Sequence, residues 1–423
     1  MFIIYDFIFF LFILIQFPVY LFKGKLKKDF LPRFGLLPRN LDLGRPIWIH
    51  AVSVGEAQAV KALLEELRKI YVGKKFVIST VTVTGNKIVR GYAEKNDFVT
   101  YLPLDLSFIV RHVVDKINPS LFIIVETEIW PNIISALHQK NIPVVLVNGR
   151  ISEASLRGYL AVKFLLKDVL GRISACCVQS ERDALRFKMI GLKADKIRAT
   201  GNMKFDAALE KGDSKVNNRL RDKLGFKGMD MLLVCGSTHR GEEEIILRAY
   251  KKILVKFGNL RLLIAPRHPE RSKEVEGLIL KYNFDSAMVS TLPLGSEHRN
   301  KTVFILDTVG SLADYYSIAD IVFVGGSLIN KGGHNILEPA GFSKPVIFGP
   351  FMSNFRDIAG LFINNNAAIM LHNALELSPV ISRLLHNPQE AQMLGRKGND
   401  LITLNKGATL RNVEVIKEVL SPF

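Results

Sequence analysis

From Pro46 onward, short apolar runs rich in Val and Ile alternate with longer stretches of helical period, and this alternation leaves few folds open. A strand that is apolar throughout must be covered on both faces, which means a parallel sheet between helices. Strands are predicted at Ile47–His50, Phe76–Thr80, Phe98–Leu102, Leu121–Val125, Pro143–Asn148 and Ile173–Gln179, with helical patterns such as Ala57–Tyr71 and Leu160–Leu170 between them. The polar stretch from Leu209 to Lys227 reads as a linker. The alternation then restarts with strands at Met231–Cys235, Leu260–Ala265, Val303–Leu306, Ile321–Val324 and Pro345–Phe348, and helices near Glu242–Phe257 and Pro269–Tyr282. A chain of 423 residues exceeds one ordinary core. The expectation is therefore α/β, with two doubly wound, Rossmann-like lobes and ligands at the carboxyl ends of the strands, in a cleft between the lobes. The segment Gly407–Leu420 reads as a helix packing back across the lobes.

Phe2 to Phe22 is almost wholly apolar, broken only by Asp6, Gln16 and Pro18, and Lys23, Lys25, Lys27 and Lys28 follow at once. About twenty such residues suffice to span a bilayer as a helix, but Asp6 and Pro18 leave a shallow or re-entrant anchor open. No small-residue cleavage site follows, and the lysine cluster favours a cytoplasmic flank against anionic headgroups. The competing reading is a buried core helix, which rarely carries apolar residues all round. The expected organisation is an anchor at 1–22, lobes at 23–208 and 228–405, and a terminal helix at 406–423. With 57 Lys+Arg against 40 Asp+Glu, the net charge of +17 suits membrane surfaces and phosphorylated substrates. Nucleic acid is disfavoured, since neither zinc-finger spacing nor an RNA-binding aromatic signature occurs. Cys176, Cys177 and Cys235 lie in apolar runs without metal-ligand spacing and read as reduced core residues of a cytosolic protein.

Seven motifs fall where such sheets bind ligands. After the first strand comes Ser53-Val54-Gly55-Glu56, and Glu56 either complements a helix N-terminus or acts as a general base. Glu126-Thr127-Glu128-Ile129-Trp130-Pro131-Asn132 follows Leu121–Val125, and its carboxylates either pair with Arg150 or serve the site. Lys204 of Gly201-Asn202-Met203-Lys204-Phe205-Asp206 is either solvated or aimed at negative charge. Ser237-Thr238-His239 and Pro266-Arg267-His268-Pro269-Glu270-Arg271 set cations near helix starts that attract phosphate. Val324-Gly325-Gly326-Ser327 and Gly332-Gly333-His334-Asn335-Ile336-Leu337-Glu338 have glycines that allow close backbone approach to an anion. Glu338 is either a capping partner or a binder of ribose hydroxyls.

No Asp-x-Asp pair, His-Glu-x-x-His, Walker pattern or Gly-x-Gly-x-x-Gly occurs. This speaks against a carboxylate metal cage, an ATPase and an ordinary NAD enzyme. No metal and no cofactor are expected.

Taken together and in order, these motifs resemble the 3-deoxy-D-manno-octulosonic acid (Kdo) transferases of lipopolysaccharide synthesis, over nearly the whole chain. The resemblance implies the GT-B glycosyltransferase arrangement. It further implies inverting, metal-independent transfer of Kdo from CMP-Kdo to the glucosamine disaccharide of a lipid A precursor of lipid IVA type. The expected location is the cytoplasmic face of a bacterial inner membrane, with inner-membrane lipids as further partners. It assigns Glu56 as catalytic base and Glu126 and Lys204 to transition-state stabilisation. The donor contacts it implies are Pro266, Arg267, Val309, Gly310, Ser311, Asn335, Ile336, Leu337 and Glu338, joined by His239 from the Ser237-Thr238-His239 turn. One position departs from the family pattern Asp-Thr-x-Gly-Glu-Leu: Ser311 stands in place of the Glu. Serine is itself a good helix cap, so a mild effect is expected. The alternative is another GT-B transferase using a UDP-sugar and a lipid-linked acceptor.

Overall fold

A computed structural model of the chain describes residues 5–11, 13–15, 28–52, 54–206, 214–293, 295 and 302–420. Contacts divide it into two compact units, Met1–Ala207 together with Asn405–Phe423, and Ala208–Leu404. Each is built on a seven-stranded sheet.

The first sheet comprises β1 (Ile47–Ala51), β2 (Phe76–Thr80), β3 (Phe98–Tyr101), β4 (Leu121–Val125), β5 (Val144–Gly149), β6 (Ala175–Val178) and β7 (Ile197–Ala199), in the order β3-β2-β1-β4-β5-β6-β7. The second comprises β8 (Met231–Thr238), β9 (Leu260–Pro266), β10 (Asp285–Met288), β11 (Thr302–Ile305), β12 (Ile321–Val324), β13 (Val346–Phe348) and β14 (Ile369–Met370), in the order β10-β11-β9-β8-β12-β13-β14. Every described pairing is parallel. The central strands are buried on both faces, as the apolar runs require. Cys176, Cys177 and Cys235 are buried and unpaired within β6 and β8.

The strands that sequence reading missed are β7, β10 and β14, and all are edges. β7 and β10, each with one neighbour and partial cover, carry no continuous apolar run, β7 reading Ile-Arg-Ala and β10 Asp-Ser-Ala-Met, and β14 is only two residues long. Two helical expectations need correction. The stretch Leu160–Leu170 belongs to two helices, Glu153–Ala161 and Lys163–Gly171, because Val162 leaves helical geometry at ψ 17°. The expected linker contains a helix, Ser214–Lys223. It lies against helix Leu312–Ile318, where the Ser317 hydroxyl donates to Asn217 Oδ1 at 2.6 Å, so tertiary packing supplies what its polar sequence lacks.

Of the expected anchor, the described residues 5–11 and 13–15 are helical, and the remainder of 1–22 lies outside the described residues. Phe9 and Ile13 pack against the core of the first unit, with Phe9 set edge-on to Trp130. Asp6 accepts from Asn132 Nδ2 at 2.7 Å and from the Ser107 N–H at 3.1 Å. Phe7, Ile8, Phe10, Leu11, Leu14 and Ile15 stay exposed. Among the described residues, no helix is long and apolar enough to cross a membrane. Lys23, Lys25 and Lys27 lie outside the described residues. Helix Ala408–Leu420 packs on helix Val54–Ile70, β5 and β6, and Asp206 fastens its start by accepting the N–H groups of Gly407 and Thr409 at 2.6 and 2.5 Å.

Candidate active site

In the first unit, the chain runs outward from β1 toward β2 on one side and places β4 on the other, so the loops after β1 and β4 leave side by side. The first loop delivers Glu56 in the opening turn of helix Val54–Ile70; the second delivers Glu126 directly after β4. Glu56 is only 7% exposed, and its Oε2 accepts the Val52 N–H at 2.6 Å. The carboxylate therefore does organise the helix start, one of the two readings its position allowed.

Glu126 takes a left-handed backbone, φ +62°, a conformation costing a non-glycine residue of the order of 1 kcal/mol or more and kept only where the surroundings impose it. That turn aims its carboxylate between two cations: Lys204 Nζ lies 2.8 Å from Oε1 and Arg150 Nε 3.3 Å from Oε2. Thr127 locks the loop, its hydroxyl donating to the Arg150 carbonyl and accepting the Arg150 N–H at 3.2 Å. Lys204 is placed by a chain of asparagines. Asn202 Oδ1 accepts the Lys204 N–H at 2.9 Å, and Asn148 Oδ1, at the end of β5, accepts the Met203 N–H at 3.0 Å. A β-carbon on Gly55 would lie 3.9 Å from Lys204 Cε, so the lysine stem passes beside the turn that presents Glu56.

Glu128 completes the cluster. Burial, then the charges of Glu56 and Glu126, push its carboxyl up to about 7. The Arg150 pairing is thus real, but it is half of a bridge that also holds Lys204.

The second unit repeats the arrangement, with β8 between β9 and β12. The loop after β8 carries His239; the loop after β12 runs through Gly325-Gly326-Ser327-Leu328 toward His334. Here the structure corrects one expectation and adds a residue. The anion cradled by the glycine turn is internal: Glu242, with 0% exposure, accepts the N–H groups of His239 (3.0 Å), Gly326 (2.7 Å), Ser327 (3.0 Å) and Leu328 (3.0 Å). From sequence Glu242 was only a helix start; the signal available was an acidic residue following the Ser237-Thr238-His239 turn.

Above this turn His239 Nε2 and His334 Nε2 stand 2.9 Å apart, with ring planes 5° from parallel. Gly326, at φ +66°, leaves room for them, since a β-carbon there would approach His334 to 2.9 Å. Burial first, then the surrounding His268, Lys331, Arg267 and Arg271, lowers His239 to about 4; burial, then Arg267 and its histidine neighbours, does the same for His334. Both rings are neutral at pH 7.

Pro266 ends β9, and the Arg267 N–H donates to the Thr238 carbonyl at 2.9 Å, bringing an exposed Arg267 alongside the histidines. Asn335 Nδ2 donates to Glu338 Oε1 at 3.1 Å while its Oδ1 accepts the Leu337 N–H. Ile336 and Leu337 are buried and leave only backbone to a ligand. Val309-Gly310-Ser311 forms a separate turn after β11. Ser311 does not cap helix Leu312–Ile318 through its side chain, as had been expected; its backbone there is already helical, and its hydroxyl bonds Thr308 Oγ1 at 2.7 Å. Among the described residues, no group of three or more His, Cys, Asp or Glu is arranged to hold a metal ion.

Each unit is a parallel α/β sheet with its candidate residues on loops at the carboxyl ends of the strands, where such sheets bind ligands. A solved glycosyltransferase from Rickettsia africae ESF-5 is similar over 89% of this chain and 99% of its own, with a TM-score of 0.59 at 14% identity; at that identity the likeness shows the fold alone. A family model described as 3-deoxy-D-manno-octulosonic-acid transferase (kdotransferase) matches residues 28–207. The 3-deoxy-D-manno-octulosonic acid transferase of Haemophilus influenzae is 35% identical over 375 residues, 88% of this chain and 87% of that protein. The transferase of the same name from Chlamydophila psittaci is 31% identical over 94% of this chain and 90% of its own. The chain belongs to the Kdo transferase family and is a glycosyltransferase, as its motifs implied.

Proposed function

We propose that the chain transfers Kdo from CMP-Kdo to the glucosamine disaccharide of a lipid IVA-type lipid A precursor by a single inverting displacement, with Glu56 as general base. The observation that carries this reading is the placement of Glu56 at the β1–β4 switch point beside the Lys204–Glu126–Arg150 bridge. The acceptor hydroxyl gives its proton to Glu56 and its oxygen bonds the anomeric carbon of Kdo. The bond from that carbon to the CMP phosphate breaks, and its electron pair leaves with the phosphate. Glu126 and Lys204 act as transition-state stabilisers, the lysine by its charge and the glutamate by fixing where that charge sits. Residues 23–208 form the acceptor lobe and residues 228–405 the donor lobe of a GT-B enzyme, with the terminal helix at 406–423. In the donor lobe His239, Pro266, Arg267, Val309–Ser311 and Asn335–Glu338 contact CMP-Kdo.

The enzyme works at the cytoplasmic face of the bacterial inner membrane, held by residues 1–22. The exposed Phe7, Ile8, Phe10, Leu11, Leu14 and Ile15 support this, since apolar side chains on one face of a helix suit a lipid interface. The test is Glu56→Gln assayed with CMP-Kdo and a defined lipid A precursor. Kdo addition is expected to fall by several orders of magnitude while CMP still protects against thermal unfolding. Undiminished transfer would remove Glu56 as base, and protection by UDP-sugars rather than CMP would favour the UDP-sugar alternative.

A further inference from the structure

We propose that His239 and His334 together form the receptor for the donor phosphate, and that the pair takes up one proton as the phosphate gains charge. This rests on the reading of the second unit as the donor lobe. The argument starts from the count of N–H groups. Two neutral imidazoles joined Nε2 to Nε2 at 2.9 Å hold two N–H protons: one lies between the rings, and the other sits on Nδ1 of the accepting ring. Neither Nδ1 has a protein partner among the described residues. The neutral pair thus offers an incoming anion one donor; the singly protonated pair offers two, one from each ring.

The surroundings hold the pair neutral. From the β9 loop Arg267 and His268 face it, with Arg271 behind, and Lys331 faces it from the loop after β12. The nearby carboxylates are spent. Glu242 is engaged by four backbone N–H groups, Glu243 by Arg271 at 2.9 Å and by Thr238 at 3.0 Å, and Glu338 by Asn335. Arg240, on the same loop as His239, is occupied by Glu274. A cation-lined site without an uncommitted anion repels a proton until an anion enters it, and then the sign of the local field reverses.

The reaction makes that change larger. CMP-Kdo is a phosphodiester with one negative charge at phosphorus. When the sugar carbon–oxygen bond breaks, the electron pair stays on the phosphate oxygen, and CMP leaves with two charges. The pair then becomes an imidazolium–imidazole couple hydrogen-bonded to that oxygen, its added proton drawn from solvent. Glu242 is the positioning residue. One of its oxygens accepts from both His239 and Gly326, so a single carboxylate sets the spacing of the loops that carry the two rings.

The test is calorimetric titration of CMP into the full-length protein near pH 8, in two buffers of different ionisation enthalpy. At that pH CMP itself is a dianion, because a phosphate monoester loses its second proton near pH 6. The wild type is expected to take up most of one proton per CMP bound. His334→Gln and His239→Gln are each expected to abolish that uptake and to weaken CMP binding about tenfold. CMP binding without proton uptake, or uptake unchanged in both variants, overturns the inference while leaving the donor lobe assignment standing. Failure of the wild type to bind CMP overturns that assignment, and the inference with it.

Discussion

Lys204 Nζ lies 2.8 Å from Glu126 Oε1 although 78 residues separate them in the chain, and Arg150 holds the other oxygen of the same carboxylate. With Lys204 removed, Glu126 keeps Arg150 as a partner. Lys204→Met is expected to cost only about 1–2 kcal/mol of stability, below the range for a fully buried pair, while kcat falls roughly 10²–10³-fold, as when one charge-stabilising donor is removed. Urea unfolding and steady-state kinetics on the same preparation separate the two. A loss of activity no larger than the loss of folded protein would remove Lys204 from the chemistry.

Glu128 makes stability depend on pH. Its folded carboxyl is raised to about 7 from the usual value near 4.3, so the protonated form favours folding. Its contribution is present in full below about pH 4 and is lost as pH rises through 7. Glu128→Gln should therefore melt higher than wild type at pH 8, with the gap closing toward pH 5. Melting curves across that window check it; a variant that melts lower at pH 8 would contradict the placement of three carboxylates together.

Glu242→Gln is expected to lower the urea midpoint by the equivalent of about 3 kcal/mol. The amide keeps one acceptor oxygen where four N–H groups converge, and each buried donor left unpaired costs about 1–3 kcal/mol. CMP affinity should fall with it, since both histidine loops lose their tie.

Asp6→Ala should loosen the start of helix Ser107–Ile117. That helix has no side-chain cap of its own at Leu106, and Asp6 accepts its Ser107 N–H. Losing a cap costs about 0.5–2 kcal/mol. Hydrogen exchange at Ser107 should quicken several-fold, with exchange in β4 unchanged.

Asp105 shows why such pairings were not legible. It caps helix Pro131–Gln139 by accepting the N–H groups of Asn132 and Ile133 at 3.1 and 3.0 Å. Nothing near Trp130, the residue at that helix start, announces a cap from Asp105, because local rules look for the capping group beside the helix. The same limit hid helix Ser214–Lys223, which packing against Leu312–Ile318 holds. Three of the four edge strands escaped, β7 and β10 because their partly covered sequences are mixed and β14 because it is two residues long, whereas the edge strand β3 was legible.

What the sequence by itself determined was the two rounds of α/β alternation, the central strands and the candidate residues at their ends, because burial on both faces writes a continuous apolar run into the chain. The family followed from the order of the motifs. What only the tertiary structure decided was which of those residues meet. In each sheet the first strand lies between its successor and a strand from much later in the chain, and at that reversal Glu56 comes beside the bridge of Glu126 and Lys204, and His239 beside His334. Strand order is set by how helices and sheets bury their apolar faces against each other over long separations, and that information is spread over the whole core rather than held in any one motif.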